Sequence, residues 1–246
     1  MSVGILTDLT MCQGCEACVD ACKEANGLPH DDAKRLSATT WTTIDRRAGL
    51  NVRRQCMHCV EPACASVCPV GALYKTELGP VAYDESRCIG CRYCMLACPF
   101  GVPTYDWSSN QPRVKKCIMC YEQAVSRGMA PACTSACPAG ATIFGERDKL
   151  ILEARRRLET EPSRYVPHIY GLEEVGGTSV LYLSSVPFEQ LGFNTTLRHD
   201  PYPMLTWKVL SKLPNVVSVA GAGLLGIWWI TKRRDDVARA EGATAE

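Results

Sequence analysis

At 246 residues the chain is long enough for one or two domains with a real core. Its 27 basic and 26 acidic residues leave a net charge of +1, which gives no electrostatic footprint for nucleic acid. Sixteen cysteines far exceed ordinary usage and narrow the chemistry to disulfides, zinc or iron–sulfur clusters.

The cysteines form four quartets with none left over. The first, Cys12, Cys15, Cys18 and Cys22, has the spacing C-x2-C-x2-C-x3-C, in which three thiolates wrap one 4Fe-4S cube and the fourth reaches a neighbouring cube. Residues 23–55 follow as an insertion. The second, Cys56, Cys59, Cys64 and Cys68, is the same motif with residues 61–63 inserted before its third cysteine. The third, Cys88, Cys91, Cys94 and Cys98, repeats the first spacing; the fourth, Cys117, Cys120, Cys133 and Cys137, has residues 121–132 inserted. After three of them come "CPVGAL" at 68, "CPFGVP" at 98 and "CPAGAT" at 137, which predict a tight turn into a short strand. Cys22 is followed by Lys23, so the first motif departs from this ending.

Past the last cysteine, "RDKLILEARRRLETEP" places Leu150, Ile151, Ala154 and Leu158 at helical spacing, with Asp148 as cap and Pro162 as stop. Residues 163–200, rich in Gly, Pro and aromatics, read as an extended cover with a strand over 180–183 behind Gly176 and Gly177. Residues 213–231 carry no charge and approach the length of a membrane-spanning helix; a buried hairpin helix of a soluble protein is the alternative. Trp228, Trp229 and Trp207 flank this span as interfacial aromatics, and Ser218, Ala222 and Gly226 form a small-residue stripe suited to contact with another membrane helix. Lys232, Arg233, Arg234 and Arg239 after the span slightly outweigh Arg198, Lys208 and Lys212 before it, which predicts a cytoplasmic C-terminus and periplasmic cysteines. No leader or twin-arginine stretch precedes Cys12, so export is expected with a partner that carries one.

Spacing discriminates among the three chemistries. Cysteines two residues apart are poorly placed to pair with each other, which weighs against a disulfide scaffold. Structural zinc accepts C-x2-C pairs but has no use for a third cysteine in a C-x2-C-x2-C run. Covalent haem needs C-x-x-C-H, and "CMHC" at 56 puts His58 inside the pair. Four 4Fe-4S clusters fit the whole pattern.

The order of motifs, with "RRQCMHCVEPACASVCPVGAL" at 53 and "CRYCMLACPFGVP" at 91, resembles the four-cluster ferredoxin-type subunits of membrane-bound bacterial respiratory oxidoreductases. The stretch "YVPHIYGLEEVGGTSVLYLSSVPFEQLGF" from 165, with the single apolar segment after it, narrows the resemblance to the nickel-iron hydrogenase and formate dehydrogenase branch; "CPAGATIFGERDKLILEARRRL" and "HIYG" resemble the hydrogenase member slightly more. The resemblance implies an α+β fold: two ferredoxin-like units in residues 1–147, a helix and cover in 148–204, an interfacial stretch and one transmembrane helix in 205–231, and a basic, disordered tail in 232–246. It also implies crossed ligand sets: Cys12, Cys15, Cys18 with Cys137; Cys117, Cys120, Cys133 with Cys22; Cys56, Cys59, Cys64 with Cys98; and Cys88, Cys91, Cys94 with Cys68. The expected role is a non-catalytic electron wire at the bacterial inner membrane. Electrons would pass from a catalytic subunit, a hydrogenase large/small pair or a molybdopterin formate dehydrogenase, to a quinone-reactive integral subunit or cytochrome b. Flow from quinol to a terminal reductase, and a stand-alone polyferredoxin, are the rival readings.

Arg53, Arg54, Arg87, Arg92, Lys115 and Lys116 flank the cysteines and read as a solvated face offsetting cluster charge, with tuning of cluster potentials the rival reading. His58 reads as a packing or hydrogen-bonding residue because its motif already has four thiolates. His168 and His199 read as structural or surface residues rather than as an exit to quinone or haem.

Overall fold

The first residues, VGILTD, form strand β1 (Val3–Asp8), buried along nearly its whole length. A strand with no polar face belongs in the middle of a sheet, and β1 lies between two partners far away in sequence. The computed structural model describes residues 2–107 and 110–243, in two units that divide after Pro203.

After the first motif comes helix α1 (Ala17–Asn26), closed by Gly27 in the left-handed conformation (φ 61°), as helix C-termini commonly are. The insertion contains a hairpin, β2 (Thr43–Arg47) and β3 (Leu50–Arg54), whose turn residues Ala48 and Gly49 both have positive φ, matching the twist of the strands. The second motif gives the short helix α2 (Ala63–Ser66) and the hairpin β4 (Leu73–Lys75) and β5 (Val81–Tyr83). The third gives α3 (Tyr93–Ala97) and the hairpin β6 (Thr104–Tyr105) and β7 (Val114–Lys115). The fourth gives α4 (Ala132–Ser135), then β8 (Thr142–Glu146), which pairs antiparallel with β1 in the register Ile5 to Phe144. Helix α1 packs against α4 and α2 against α3, so the half built from motifs two and three is nested within the half built from motifs one and four.

Helix α5 (Arg147–Thr160) turns Leu150 and Ala154 inward, and Leu150 packs with Leu6 and Leu181. The N-cap position belongs to Glu146, with no capping side chain, while the predicted cap Asp148 lies inside the first turn, where it still faces the helix dipole favourably. Strand β9 (Val180–Leu183) is fully buried and pairs parallel with β1, Ile5 to Val180, so this part of the expected cover is a core strand. Asp8 at the end of β1 is completely buried. Its carboxylate accepts from Tyr165 Oη (2.7 Å), Thr10 Oγ1 (2.6 Å) and Arg157 Nη1 (3.1 Å), tying α5 and the segment after it onto the sheet.

The chain ends in α6 (Tyr202–Leu210) and α7 (Leu213–Ala243), separated by a turn at Ser211 and Lys212 ahead of Pro214, which has no backbone N–H to donate. At 1.5 Å per residue the 31 residues of α7 exceed the roughly 30 Å of a bilayer core. Val216, Leu224, Ile227 and Trp229 are all more than half exposed, and the helix is long and apolar enough to cross a membrane. The helix also runs on to Ala243, through most of the tail expected to be disordered. Residues 232–241 contain no Pro or Gly to stop it.

Candidate metal centre

The four C-x-x-C loops share one backbone device. The residue before each second cysteine has positive φ: Gly14 (71°), His58 (49°), Gly90 (69°) and Met119 (55°). In the first and third motifs the residue after that cysteine is also left-handed, Glu16 (60°) and Arg92 (68°), and opens α1 and α3. Successive turns of this kind aim backbone N–H groups into a concavity that favours anions. Gly14 thus donates to Cys12, Gly90 and Val114 to Cys88, and Ala132 to Cys120. Ala72 N donates to Cys68 Sγ at 3.2 Å and Met119 N to Cys117 Sγ at 3.4 Å. Side chains add to these: Asn26 Nδ2 lies 3.7 Å from Cys22 Sγ, Tyr105 Oη 3.0 Å from Cys94 Sγ, and the Tyr83 hydroxyl faces Cys88.

Through-space neighbours link the thiols across motifs. Cys12 lies by Cys137 and Cys15, and Cys18 by Cys133, Cys12 and Cys137. Cys22 lies by Cys133, Cys120 and Cys18, and Cys117 by Cys22, Cys56 and Cys133. Cys59 is surrounded by Cys56, Cys64 and Cys98, and Cys94 by Cys68, Cys88 and Cys91. Cys68, Cys88, Cys91 and Cys94 also line one small hollow, walled by Val70, Leu73, Ile89 and Val114. An apolar chamber with four thiols around it fits a cube held by four thiolates. Among the described residues, no three His, Cys, Asp or Glu side chains converge closely enough for a single metal ion.

Burial pushes the Cys18 thiol up to about 11 and Cys22 and Cys64 up to about 12, and holds Cys59 and Cys117 well above the ordinary thiol value. Metal loading must therefore drive these protons off. Cys88 is displaced the other way: burial opposes the shift, but the nearby Tyr83 hydroxyl, the backbone donors Val114 and Gly90 and the charge of Arg113 outweigh it.

The basic residues divide in two. Arg87 and Arg92 are exposed, the first paired with Asp84 (3.1 Å) and the second stacked over Trp107 (4.7 Å), and half-buried Lys115 pairs with Glu85 (3.2 Å). Half-buried Arg54 stacks on Phe193 at 4.0 Å. Arg53 and Lys116 overturn the surface reading, at 2% and 3% exposed. Lys116 Nζ donates to the carbonyls of Val81 (2.6 Å) and Cys117 (3.0 Å), and its charge acts on Cys64. Lys75, which carries no sequence signal, donates to the Cys59 carbonyl (2.7 Å); burial brings it down to about 8. His58 is fully buried, its Nδ1 accepting from Val81 N (2.9 Å), and burial with the charges of Lys116 and Lys75 keeps it neutral. His168 Nε2 lies 2.8 Å from Glu174 and His199 Nδ1 3.2 Å from Glu173, both apart from the thiol groups.

The sequence profile of the 4Fe-4S dicluster domain matches residues 48–147. A protein of Nitratidesulfovibrio vulgaris (strain Hildenborough) is 42% identical over 262 residues, covering 99% of this chain and 70% of the relative. The hydrogenase-2 operon protein HybA of Escherichia coli O157:H7 is 38% identical over 77% of this chain and 72% of its own length. The formate dehydrogenase iron-sulfur subunit of Haemophilus influenzae is 33% identical over 91% of this chain and 78% of its own length. With its cysteine spacing, thiol grouping and apolar C-terminal helix, the chain belongs to the 4Fe-4S iron–sulfur subunit family that includes HybA and the formate dehydrogenase iron–sulfur subunits.

Proposed function

We propose that the sixteen cysteines hold four 4Fe-4S clusters in single file, and that the chain relays electrons through them from a catalytic subunit to an integral membrane partner. The ligand sets are Cys12, Cys15, Cys18 and Cys137; Cys22, Cys117, Cys120 and Cys133; Cys56, Cys59, Cys64 and Cys98; and Cys68, Cys88, Cys91 and Cys94. The observation that carries the proposal is the neighbour pattern of the thiols. Within each set they face one another across motifs, and between sets Cys18 neighbours Cys133, Cys117 neighbours Cys56, and Cys64 neighbours Cys94. A cube with four thiolates supplies one-electron exchange and leaves no open position for substrate. The chain's own residues shield the sites, direct N–H groups at sulfur and fix the spacing.

Both ends of the file reach the surface. Cys15 is exposed in the first set, and Ile89, Tyr93, Leu96 and Trp107, each more than half exposed, surround the last. Apolar groups clustered at a redox site favour a protein partner there. For the donor we favour a hydrogenase, on the 38% identity to HybA over 239 residues against 36% to a formate dehydrogenase subunit over 201. For the acceptor, α7 is read as a single span of the bacterial inner membrane, its exposed Ser218, Ala222 and Gly226 stripe meeting a quinone-reactive integral subunit or cytochrome b. The flanking Lys and Arg favour a cytoplasmic C-terminus and periplasmic cysteines.

Elemental analysis of the complex purified through this chain in mild detergent tests the reading. Nickel with abundant iron supports a hydrogenase partner, while molybdenum or tungsten moves the donor to a pterin enzyme such as a formate dehydrogenase. Iron far below about sixteen per chain, four for each cube, overturns the cluster count.

A further inference from the structure

Arg53 is the most anomalous charge in the fold. It lies on β3, opposite Ile44 of β2, and is 2% exposed. Two of its nitrogens are fixed by hydroxyls from separate parts of the chain: Nη1 donates to Thr142 Oγ1 on β8 (2.8 Å) and Nε to Thr42 Oγ1 ahead of β2 (3.3 Å). The third, Nη2, is buried and finds no acceptor among the described residues. The anionic groups acting on it most strongly are the thiols Cys133, Cys18 and Cys117 and the phenol of Tyr182, with no carboxylate among them. In turn its charge acts on Cys12, Cys18, Cys22 and Cys120. Those thiols belong to both the first and second ligand sets. Its neighbour Arg54 faces elsewhere, stacking on Phe193 and donating to the Leu191 carbonyl.

A guanidinium buried without a counter-charge is expensive, and so is a buried donor left unpaired. Uncharged thiols would leave Arg53 uncompensated, whereas two cubes with thiolate ligands carry net negative charge and bare sulfur acceptors on both sides of it. Arg is also the side chain that cannot escape by losing its proton.

We propose that Arg53 is a positioning residue shared by the first two clusters: its free Nη2–H donates to cluster sulfur at their boundary, and its permanent charge raises both reduction potentials. This rests on the four-cluster reading. Adding one electron to either site makes it more negative, and a fixed cation nearby stabilises that reduced state over the oxidised one. No bond is formed or broken; the electron comes from the preceding site and leaves to the next. Thr42 and Thr142 act through Arg53 by holding the plane of its fork.

The test is a redox titration of the detergent-purified complex followed by electron paramagnetic resonance, with iron counted in every preparation. Cys12→Ser and Cys22→Ser identify which signals belong to the first two sites. With Arg53→Met, at the native midpoint, the reduced-to-oxidised ratio of those two sites is expected to fall at least tenfold, about 59 mV downward for a one-electron couple. The other two sites stay within a twofold change, and Arg53→Lys, which keeps the charge, restores most of the shift. If Arg53→Met loses iron from the first two sites, Thr142→Val replaces it; this removes the Nη1 acceptor, keeps the charge, and is expected to give a smaller downward shift confined to the same two signals. Unmoved potentials at full iron content, or equal shifts at all four sites, overturn the proposal. A native preparation with iron far below sixteen per chain overturns the cluster reading itself, whatever the variants do.

Discussion

The thiols of Cys68 and Cys94 line one hollow, although Cys68 closes the second motif and Cys94 stands inside the third. A cube in that hollow would bind two stretches of chain, and on the proposed crossed sets the fourth cysteine of each motif would fix the distance to the neighbouring site. Cys68→Ser and Cys88→Ser are therefore expected to abolish the same spectroscopic signal and about four of sixteen iron atoms each. Cys56→Ser should abolish a different one. Loss of the same signal from Cys68→Ser and Cys56→Ser would mean that the motifs are not crossed.

Gly90 and Gly101 both have positive φ, at 69° and 62°, and their alanine variants separate backbone strain from crowding. A Cβ on Gly90 would lie 2.6 Å from the Pro112 carbonyl oxygen, while one on Gly101 meets nothing within 4 Å. Both pay the left-handed penalty of about 1–2 kcal/mol. Only Gly90→Ala must also move the loop that carries Cys88 and Cys91, and it is expected to lose the iron of that site while Gly101→Ala keeps all of it. Iron analysis of the two purified variants decides.

What the sequence revealed and what it concealed follow from the range of the interactions. C-x-x-C spacing is a local ligand geometry, so the four motifs are readable directly. Cys12 beside Cys137 is a contact across most of the cluster-binding half, and residue spacing says nothing of it; only resemblance to a family suggested the crossed sets. The strand at 180–183 is visible as an apolar run, yet its partner β1 and the parallel register are set by packing of the whole sheet. Arg53 and Arg54 look alike in "RRQC". Their opposite fates depend on Thr42, Thr142 and Phe193, none adjacent in sequence.

Arg157 is mostly buried against the fully buried Asp8, and removing it leaves that carboxylate with only Tyr165 and Thr10 as side-chain donors. Losing a hydrogen bond to a buried charge costs about 2 kcal/mol. Cluster proteins seldom unfold in two states, so the readout is local: amide exchange in β1 and β9 of Arg157→Ala should quicken about thirty-fold while the β4 and β5 hairpin is unaffected. Equal acceleration in both would show that the pair stabilises the whole unit rather than one edge of it.

The hydrogen bond that His168 donates to Glu174 holds the histidine above its usual value. Glu174 is shifted down because His168 and backbone donors outweigh its burial. For a histidine raised on folding, the pair's contribution is fully present below about 6.5, the unfolded value, and is lost as pH rises through the higher folded value. Glu174 also accepts from Gly171 N at 2.6 Å. Amide exchange at Gly171, corrected for intrinsic pH dependence, should therefore quicken as pH rises above about 6.5. His168→Gln should remove that step, and a step that persists in the variant rules the pair out as its source.

All sixteen cysteines, the three-stranded sheet and the buried Asp8 anchor lie before Pro203, and α7 lies wholly after it. The core residues of the cysteine-bearing unit all come from residues before Pro203. A chain ending at Pro203 is expected to keep its full iron complement and reducible clusters while leaving the membrane fraction. The exposed Trp228, Trp229 and Ile230 explain why the intact chain would need detergent. Iron, reducibility and membrane association measured together separate two roles for the helix. Soluble protein with intact clusters makes α7 an anchor, whereas loss of all clusters makes it part of the folding unit and removes the basis for treating the two units as independent.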